Sequence, residues 1–243
     1  MELAGRRALV TGAGRRLGRA IAVGLARAGC DVALHYRESR AGAEEAAATI
    51  RALGRAAALF PADLRDAAAA RRLPEQAAAA LGGLDVLVNS AGILVQQRLE
   101  DVTPSSWDET LDLNLRAYFF VAQGAAPHLR RAHGRIVNLA DEAAFEPWPD
   151  YVPHSVSKAG VVMLTQGLAR ALAPEVTVNA VAPGAVLLPE AWDAATRARF
   201  ARTTPLGRLG SPDDVVQAVH YLLAGGDYVT GTTLIVDGGR LIR

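Results

Sequence analysis

The chain has 243 residues, 51% of them hydrophobic, which is enough to bury the core of a single α/β domain over residues 1–243. Its 26 lysines and arginines nearly balance 25 aspartates and glutamates, which argues against nucleic acid as a partner. The lone Cys30 excludes an internal disulfide and is expected to be a small buried residue. No apolar run reaches bilayer length, and the first ten residues are too short and charged for a signal peptide. We therefore expect a cytoplasmic protein that binds no membrane.

Short β-branched or apolar runs alternate along the chain with longer alanine-rich stretches of helical spacing. This alternation is typical of β-α-β units that build a parallel sheet. In chain order, the candidate strands are Ala8–Thr11, Val32–Tyr36, Ala57–Phe60, Val86–Asn89, Arg135–Leu139, Val176–Val181 and Thr233–Val236. The sequence therefore predicts a Rossmann-type α/β fold, a doubly wound parallel sheet of about seven strands with helices on both faces.

Two helix starts and one irregular segment complete the predicted elements. The pairs Thr103–Pro104 and Ser211–Pro212 each place a capping hydroxyl before a proline that suits the first helical position. The stretch from 184 to 205 lacks a strand pattern and carries Trp192 and Phe200. We predict that this stretch leaves the sheet and covers a pocket.

A glycine-rich turn joins the first predicted strand to an apolar helix that follows from Ala20. The turn reads Thr11-Gly12-Ala13-Gly14-Arg15-Arg16-Leu17-Gly18. Between a strand and a helix N-terminus, such a turn lets the backbone approach a pyrophosphate, whose negative charge the helix dipole favours. The sequence therefore predicts a dinucleotide site here.

This turn resembles the T-G-x-x-x-G-x-G motif of the short-chain dehydrogenase/reductases. Arg16 stands at the middle glycine, and that variant resembles the pteridine reductase branch, where the arginine reaches the cofactor phosphates and the substrate pocket. The run from His35 to Ser39 is similar to the H-Y-x-R-S stretch of the same branch, which implies that Arg37 and Ser39 hold the 2′-phosphate of NADPH. NAD-dependent members are expected to carry an acidic residue at this strand end. Glu38 stands where the branch has an arginine.

The resemblance continues over nearly all of the chain. Asp63 resembles the adenine-contacting aspartate, Asn89–Gly92 resembles the N-N-A-G motif, and Asn179–Gly184 resembles N-x-x-x-P-G. The resemblance implies NADPH or NADP as cofactor, no metal, and cofactor contacts at Gly12, Arg15, Arg16, Leu17, Gly18, His35, Tyr36, Arg37, Ser39, Asp63, Leu64, Asn89, Ser90, Ala91, Gly92, Lys158, Pro183, Gly184 and Val186.

The family transfers hydride with the help of a serine, a tyrosine, a lysine and an asparagine. Asn114 matches the asparagine that holds a water relay, and Lys158 matches the lysine that binds the nicotinamide ribose and favours proton release by its charge. Asp141 stands at the serine position, as in pteridine reductases. His154 stands at the tyrosine position, at the family's spacing of thirteen residues from Asp141.

His154 leaves two alternatives open. Asp141 nearby would favour a charged imidazole that donates a proton, whereas Lys158 one helical turn along would oppose that charge. The ring also reaches less far than a phenol. The site is therefore either a reductase with altered acid catalysis or an NADP(H)-binding site with little turnover. Tyr151, placed one turn before His154, is a candidate substitute donor or substrate contact, or an aromatic that merely walls the pocket.

The substrate is less constrained. Pteridine reductases stack the pterin on an aromatic residue where this chain has Leu94, so one stacking face is missing. Reduction of a pterin or dihydrofolate is the best named activity, with a carbonyl or imine reductase as the alternative. A 3-oxoacyl reductase fits Asp141 and Arg16 poorly. The resemblance also implies a homotetramer that packs the fourth and fifth helices and the last strand, with a small molecule as substrate.

Overall fold

The computed structural model describes residues 1–188 and 193–242, and in this part of the chain seven strands form one parallel sheet. The strands are β1 (Arg7–Val10), β2 (Asp31–Tyr36), β3 (Ala57–Pro61), β4 (Val86–Asn89), β5 (Arg135–Leu139), β6 (Thr177–Pro183) and β7 (Thr233–Val236). Their order across the sheet is β3-β2-β1-β4-β5-β6-β7. The order reverses between β1 and β4, and in open parallel sheets ligands bind outside the strand ends at such a switch point.

Helices cover both faces of the sheet. The described α-helices are α1 (Arg16–Arg27), α2 (Arg40–Ala52), α3 (Ala67–Leu81), α4 (Pro104–Leu111), α5 (Ala117–Ala132), α6 (Val152–Leu172), α7 (Ala194–Thr203) and α8 (Pro212–Ala224). A π-helical turn, Asp112–Arg116, joins α4 to α5. Within the two described ranges, no helix combines the length and apolar character needed to cross a membrane.

Two apolar layers form the core, one on each face of the sheet. Ile21 of α1, Ile50 of α2 and Leu222 of α8 are buried on one side. Leu73 of α3 and Leu129 of α5 are buried on the other. Each such side chain contributes about 1.5–3 kcal/mol by leaving water. This burial on both faces holds the sheet in place, and the site lies at the carboxyl ends of its strands.

A buried carboxylate connects β1 to β4 at the amino ends of the two strands. Asp85 Oδ2 accepts hydrogen bonds from the Arg7 backbone nitrogen at 3.0 Å and Nε at 2.6 Å, and Oδ1 accepts from Arg6 Nη1 at 3.0 Å. Burial alone would raise the pKa of Asp85, but these hydrogen bonds outweigh it and hold the pKa below its ordinary value. The ion pairs therefore stabilise the pairing of the two strands that flank the switch point.

All seven predicted strands are confirmed, three of them with the predicted end points and the others with end points that shift by at most two residues. The largest shift is in β6, which runs on to Pro183 because Ala182 and Pro183 remain in register with Ile235 and Val236 of β7. The lone Cys30 is buried, and burial raises the pKa of its thiol to about 12.

The predicted helix starts are also confirmed. Thr103 caps α4 in a capping box with Ser106, and Ser211 caps α8 in a box with Asp214. In its described part, the excursion after β6 contains a helix, α7, and no strand. Trp192, which was predicted to border the pocket, lies outside the described residues.

Candidate functional site

The predicted phosphate-binding turn lies at the switch point, between β1 and the N-terminus of α1. Arg16 has a φ of 49°, a left-handed conformation that glycine adopts with least strain. Gly12 has a φ of 68°, and a Cβ there would lie 2.9 Å from the Ala91 Cα. A Cβ on Gly18 would lie 2.3 Å from the carbonyl oxygen of Gly12. The turn is therefore too tight for side chains at these two glycines, and its backbone stays accessible to a phosphate.

Two polar side chains fix this turn from behind. Thr11 Oγ1 accepts hydrogen bonds from the backbone nitrogens of 90 and 91 at 2.9 and 3.0 Å, which joins the turn to the segment after β4. The Gly12 nitrogen donates to His35 Nδ1 at 3.1 Å, and His35 Nε2 lies 3.1 Å from the Ala62 carbonyl. Burial lowers the pKa of His35 to about 4, so the ring is neutral near pH 7, as an acceptor at Nδ1 requires. His35 thus supports the turn.

The loop after β2 contacts the same turn. A Cβ on Gly14 would lie 2.2 Å from Ser39 Oγ, so the predicted 2′-phosphate residue and the turn are adjacent. The Arg37 guanidinium pairs with Glu38 at 2.5 Å. Glu38 therefore competes for the cation that a phosphate would bind. Tyr36, the last residue of β2, is buried.

Asp63 is engaged by a residue that the sequence pattern did not single out. Arg65 Nε lies 3.0 Å from both carboxylate oxygens of Asp63, and its Nη1 donates to Glu109 at 2.7 Å. The Arg65 hydrogen bond is the main reason that the pKa of Asp63 lies below its ordinary value. Leu64 between them is buried. The predicted adenine-contacting carboxylate is therefore charged and already bound to a cation.

Asn114 lies on the π-helical turn between α4 and α5, the kind of local bulge that is frequent at functional sites. Its Oδ1 accepts from the Ile93 nitrogen at 2.8 Å, and its Nδ2 donates to the Ile93 carbonyl at 2.9 Å and to Ser157 Oγ at 3.2 Å. Asn114 thus holds the segment after β4 against α6. The water relay that the resemblance implies stays a prediction.

Lys158 is the only lysine in the sequence and is buried on α6. Its Nζ donates to the Leu139 carbonyl at 2.7 Å and lies 5.4 Å from the centre of the Tyr118 ring. Burial lowers the pKa of Lys158 to about 8, although the Asp141 carboxylate acts in the opposite direction. The lysine therefore carries an expensive charge at the carboxyl end of β5.

His154 and Asp141 meet above Lys158, as the spacing predicted. His154 Nε2 lies 3.7 Å from Asp141 Oδ2 and has no hydrogen-bond partner among the described residues. Asp141 Oδ1 accepts from the Ala143 nitrogen at 2.9 Å, which leaves Oδ2 to face the imidazole. His154 Nδ1 lies 3.2 Å from the Ile93 carbonyl. Asn114 Nδ2, a donor, lies 3.4 Å from the same Nδ1, so this nitrogen has a partner in either tautomer. In the tautomer that donates to the Ile93 carbonyl, Nε2 donates only when the ring is charged.

The prediction that Tyr151 shares a helix face with His154 is wrong. Helix α6 begins at Val152, and Tyr151 is its N-cap, with φ −138° and ψ 31° outside the helical region. The proline at 153 suits the first turn of a helix that starts there. Tyr151 instead packs edge-on against Trp148, with ring centres 5.6 Å apart. Its role as donor or substrate contact stays a prediction.

The segment after β6 approaches the phosphate turn. The Arg16 guanidinium donates to the Leu187 carbonyl, so the turn and this segment are linked across the cleft. Val186, next to Leu187, is buried, and the Val186 nitrogen donates to the Gly184 carbonyl at 2.8 Å. Leu94, on the segment after β4, is half exposed. The cofactor roles assigned to Pro183, Gly184 and Val186 stay predictions.

Several residues that build the site carry no motif of their own. The sequence identifies Thr11 only as a member of the turn, whereas its hydroxyl joins the end of β1 to the segment after β4. Tyr118, Glu142 and Arg240 are buried around the site. Tyr118 lies four residues after Asn114, on the same helical face, and that spacing is the one signal that could have identified it. Arg240 lies 98 positions from Glu142, so no local pattern could have paired them.

Comparison with known proteins places this site in a family. The family model described as enoyl-(acyl carrier protein) reductase matches residues 12–240. A 3beta-hydroxysteroid dehydrogenase of Eggerthella lenta is 37% identical over 99% of this chain and 95% of its own length. A 3-oxoacyl-[acyl-carrier-protein] reductase of Staphylococcus aureus is 36% identical over 96% of each chain.

A solved structure agrees with these relatives. The short chain dehydrogenase of Burkholderia cenocepacia, crystallised in complex with NADP, is 39% identical, covers 99% of both chains and superimposes with a TM-score of 0.92. Sequence match, strand order and the turn at the switch point thus lead to one family. The chain belongs to the short-chain dehydrogenase/reductase family of oxidoreductases.

Proposed function

We propose that this chain is an NADPH-dependent reductase that reduces a C=N or C=O bond, with His154 as the proton donor. A pterin or dihydrofolate is the first substrate class to test. The observation that carries the proposal is the buried, unpaired Nε2 of His154 facing Asp141 Oδ2 at 3.7 Å. A group placed in this way is an acid without a partner until a substrate arrives.

The turn fits a dinucleotide. A Cβ on Gly12 or Gly18 would meet backbone atoms at 2.9 or 2.3 Å, so only glycine fits at these two positions of the turn. A glycine-rich turn of this kind at a helix N-terminus suits a pyrophosphate. Arg15 is the N-cap of α1 and Arg16 is its first residue, so both add positive charge at the helix N-terminus. When bound, NADPH supplies the hydride. Gly12, Leu17, Gly18 and the segment from 89 to 92 would hold the cofactor, and Lys158 would bind its ribose.

The preference for NADPH depends on the loop after β2. Ser39 contacts Gly14 of the turn, and Arg37 supplies a planar cation that suits a phosphate. Glu38 already pairs with Arg37, and its side chain is largely exposed, so it can turn away when a phosphate binds. Replacement of Glu38 by glutamine is expected to tighten NADPH binding and leave NADH binding unchanged.

His154 Nε2 and Asp141 Oδ2, 3.7 Å apart, can bind neighbouring groups of one substrate, with an N–H group at the carboxylate. The reacting oxygen or nitrogen would lie about 2.8 Å from Nε2. The charged imidazole gives its Nε2 proton to that atom, and the remaining Nδ1–H stays on the Ile93 carbonyl. The ring then takes a new proton from water before the next cycle.

The Asp141 carboxylate favours one kind of substrate. As an anion it accepts hydrogen bonds, so it attracts an N–H group beside the reducible bond and repels a bare ketone oxygen. Dihydropterins carry such N–H groups, which supports them over simple ketones. Leu94 offers an apolar wall in place of an aromatic one, which weakens stacking. The 3-oxoacyl reductase relative keeps that activity as the second candidate.

Initial rates of NADPH oxidation test the proposal with dihydrobiopterin, dihydrofolate, an acetoacetyl thioester and a simple ketone. His154→Phe removes the acid but keeps an aromatic ring, and we expect a loss of at least about 100-fold in kcat with an unchanged Kd for NADPH. Phe145→Leu changes an exposed aromatic residue at the end of the 142–144 turn that has no proton to give, and it is the control. Equal rates in wild type and His154→Phe would refute the proposed acid.

The alternative is a dinucleotide-binding protein with little turnover. It is favoured by the short reach of the imidazole and by the hold of Ile93 on Nδ1. It predicts that wild type binds NADPH and reduces none of the substrates, and that His154→Tyr creates activity. If His154→Tyr instead lowers a measurable rate, this alternative fails.

We also propose a homotetramer, because apolar side chains are exposed on two separate surfaces. Phe119 of α5 and Met163 of α6 lie on one, and Tyr221 of α8 and Ile235 of β7 lie on the other. The predicted fourth helix corresponds to α4 and α5 together, which the π-helical turn Asp112–Arg116 joins. Light scattering should give four copies for wild type and two for Met163→Glu; a monomeric wild type contradicts the proposal.

A further inference from the structure

A buried ion pair lies beside the site, where the carboxyl ends of β5, β6 and β7 meet. Arg240 Nε lies 3.2 Å from Glu142 Oε2, and the two side chains are only 6% and 4% exposed. A Cβ on Gly184 would lie 2.6 Å from the same carboxylate oxygen, so this glycine makes room for the pair. Within the described ranges, Arg240 Nη1 has no hydrogen-bond partner. Among the described residues, Glu142 is the one carboxylate that forms an ion pair with Arg240.

One end of the pair acts on Asp141. Glu142 follows Asp141 directly and opens the 3-10 turn Glu142–Ala144. The Ala143 nitrogen of that turn donates to Asp141 Oδ1 at 2.9 Å and thereby sets the direction of Oδ2. Any shift of Glu142 therefore moves the carboxylate that faces His154.

The other end acts on helix α7. The Arg240 guanidinium carbon lies 5.0 Å from the centre of the Phe200 ring. The Phe200 carbonyl accepts from Thr204 Oγ1 at 2.9 Å, and the Leu206 nitrogen donates to the Gly238 carbonyl at 3.1 Å. The end of α7 is thus attached to the turn that carries Arg240.

The Arg240 turn is itself rigid. Asp237 Oδ1 accepts from the Gly239 nitrogen and Oδ2 from the Leu241 nitrogen, each at 2.8 Å. Its backbone is therefore tied to the end of β7. Arg240 therefore has a fixed backbone, and its side chain contacts both the turn Glu142–Ala144 and helix α7.

We propose that Arg240 is a positioning residue for the reaction, which fixes the Asp141 carboxylate through Glu142 and fixes α7 through Phe200. This inference rests on the proposed role of Asp141 in turnover. It extends the proposed site to a residue that acts through Glu142 and Phe200. The substrate, rather than the cofactor, is the ligand whose binding then depends on Arg240.

The charges around Glu142 make this idea testable in a folded variant. Asp141, Asp237 and Arg240 face Glu142, and burial raises the pKa of Glu142 to about 7 in spite of Arg240. When Arg240 is replaced by methionine, Glu142 can take a proton instead of leaving a buried charge. The double variant Arg240→Met, Glu142→Gln removes both charges at once and provides a second folded protein.

The experiment compares Arg240→Met, the double variant, Arg240→Lys and the control Arg208→Met. Arg208 pairs with Asp214 near the same end of the sheet and contacts neither Glu142 nor Phe200 in the described contacts. Hydrogen exchange is followed at residues 142–146 and 194–203, with steady-state kinetics and the Kd for NADPH. Lysine keeps the charge but loses the planar stack.

We expect Arg240→Met and the double variant to exchange about tenfold faster in both segments, and kcat/KM to fall by a factor of about ten or more. The Kd for NADPH should change less than about twofold. Arg240→Lys should restore the 142–146 segment but not α7, and Arg208→Met should behave as wild type. Unchanged exchange in the two segments, or a loss of NADPH affinity equal to the loss in kcat/KM, overturns the inference.

The exchange measurement needs no turnover. A wild type that reduces no substrate therefore refutes the proposed function while exchange still decides whether Arg240 holds the two segments. Conversely, an active wild type with unchanged exchange in Arg240→Met refutes only the role of Arg240.

Discussion

Replacing Lys158 by methionine should stabilise the protein near pH 7 while removing its activity. Burial lowers the pKa of Lys158 from 10.5 to about 8, which corresponds to a cost of about 3 kcal/mol for holding the charge in the folded state. Methionine has a similar length and carries no charge. The Leu139 carbonyl, which loses its bond from Nζ, keeps a hydrogen bond from the Tyr118 hydroxyl at 3.3 Å.

The pH dependence is the sharper part of this prediction. Because the folded pKa lies below the unfolded one, the unfolded chain binds more protons between pH 8 and pH 10.5, so wild-type stability rises with pH in that range. The stability difference between Lys158→Met and wild type should therefore shrink by about 3 kcal/mol from pH 7.5 to pH 10.5. Tyrosine titration affects both proteins equally and cancels in the difference.

Two measurements check it. Urea unfolding of both proteins at matched concentration, across this pH range, gives the difference directly. Because Lys158 is the only lysine, a chain labelled with [ε-13C]lysine shows one resonance whose midpoint is the pKa itself. A midpoint near 10.5, or a stability difference that does not change with pH, would refute the reasoning.

Three further predictions concern the turn and the sheet. Arg16→Gly should raise Tm, because it removes a left-handed non-glycine residue that costs about 1 kcal/mol, and should weaken NADPH binding; unchanged binding would exclude a phosphate role for Arg16. His35→Asn keeps an acceptor for the Gly12 nitrogen but cannot titrate. The folded pKa of His35 is about 4, below its unfolded value of 6.5. The free energy of unfolding of wild type should therefore fall by about 3 kcal/mol as the pH drops from 6.5 to 4. An equal fall in His35→Asn would show that His35 is not the cause. Asp85→Asn should cost about 2–3 kcal/mol at pH 7, measured by urea unfolding, and less below pH 4, because the lowered pKa of Asp85 makes its contribution vanish in acid; an equal cost at both pH values contradicts this.

The fold could be predicted because its signals are local. Each β-strand is a short apolar run. A glycine turn marks the start of α1, and capping residues mark the starts of α4 and α8. The turn at 11–18 lies where a strand meets a helix, so its position at the switch point follows from the chain order alone. The extension of β6 to Pro183 could not be predicted, because it depends on pairing with β7, whose Val236 lies 53 positions after Pro183.

A site residue could be predicted only where it belongs to a sequence motif. The spacing of Asp141 and His154 predicted their meeting, and they lie 3.7 Å apart. The start of α6 at Val152 was missed, because one residue decides whether Tyr151 is inside a helix or caps it. Arg240 was missed because tertiary packing sets its partner Glu142, whereas Arg65 lies only two residues from Asp63 and belongs to no motif.

The substitutions at 141 and 154 that the family resemblance implies are chemically compatible with each other. A tyrosine donor needs Lys158 to stabilise the phenolate that remains after proton release, whereas an imidazole donor must already hold a positive charge beside that same lysine. A serine at 141 would do nothing to offset two neighbouring cations. The Asp141 carboxylate offsets them, because its Oδ2 lies 3.7 Å from the His154 ring and its charge also acts on Lys158. In the proposed reductase, the Asp141 carboxylate is therefore the group that offsets a charged His154 beside the buried Lys158, and the roles proposed for 141 and 154 depend on each other.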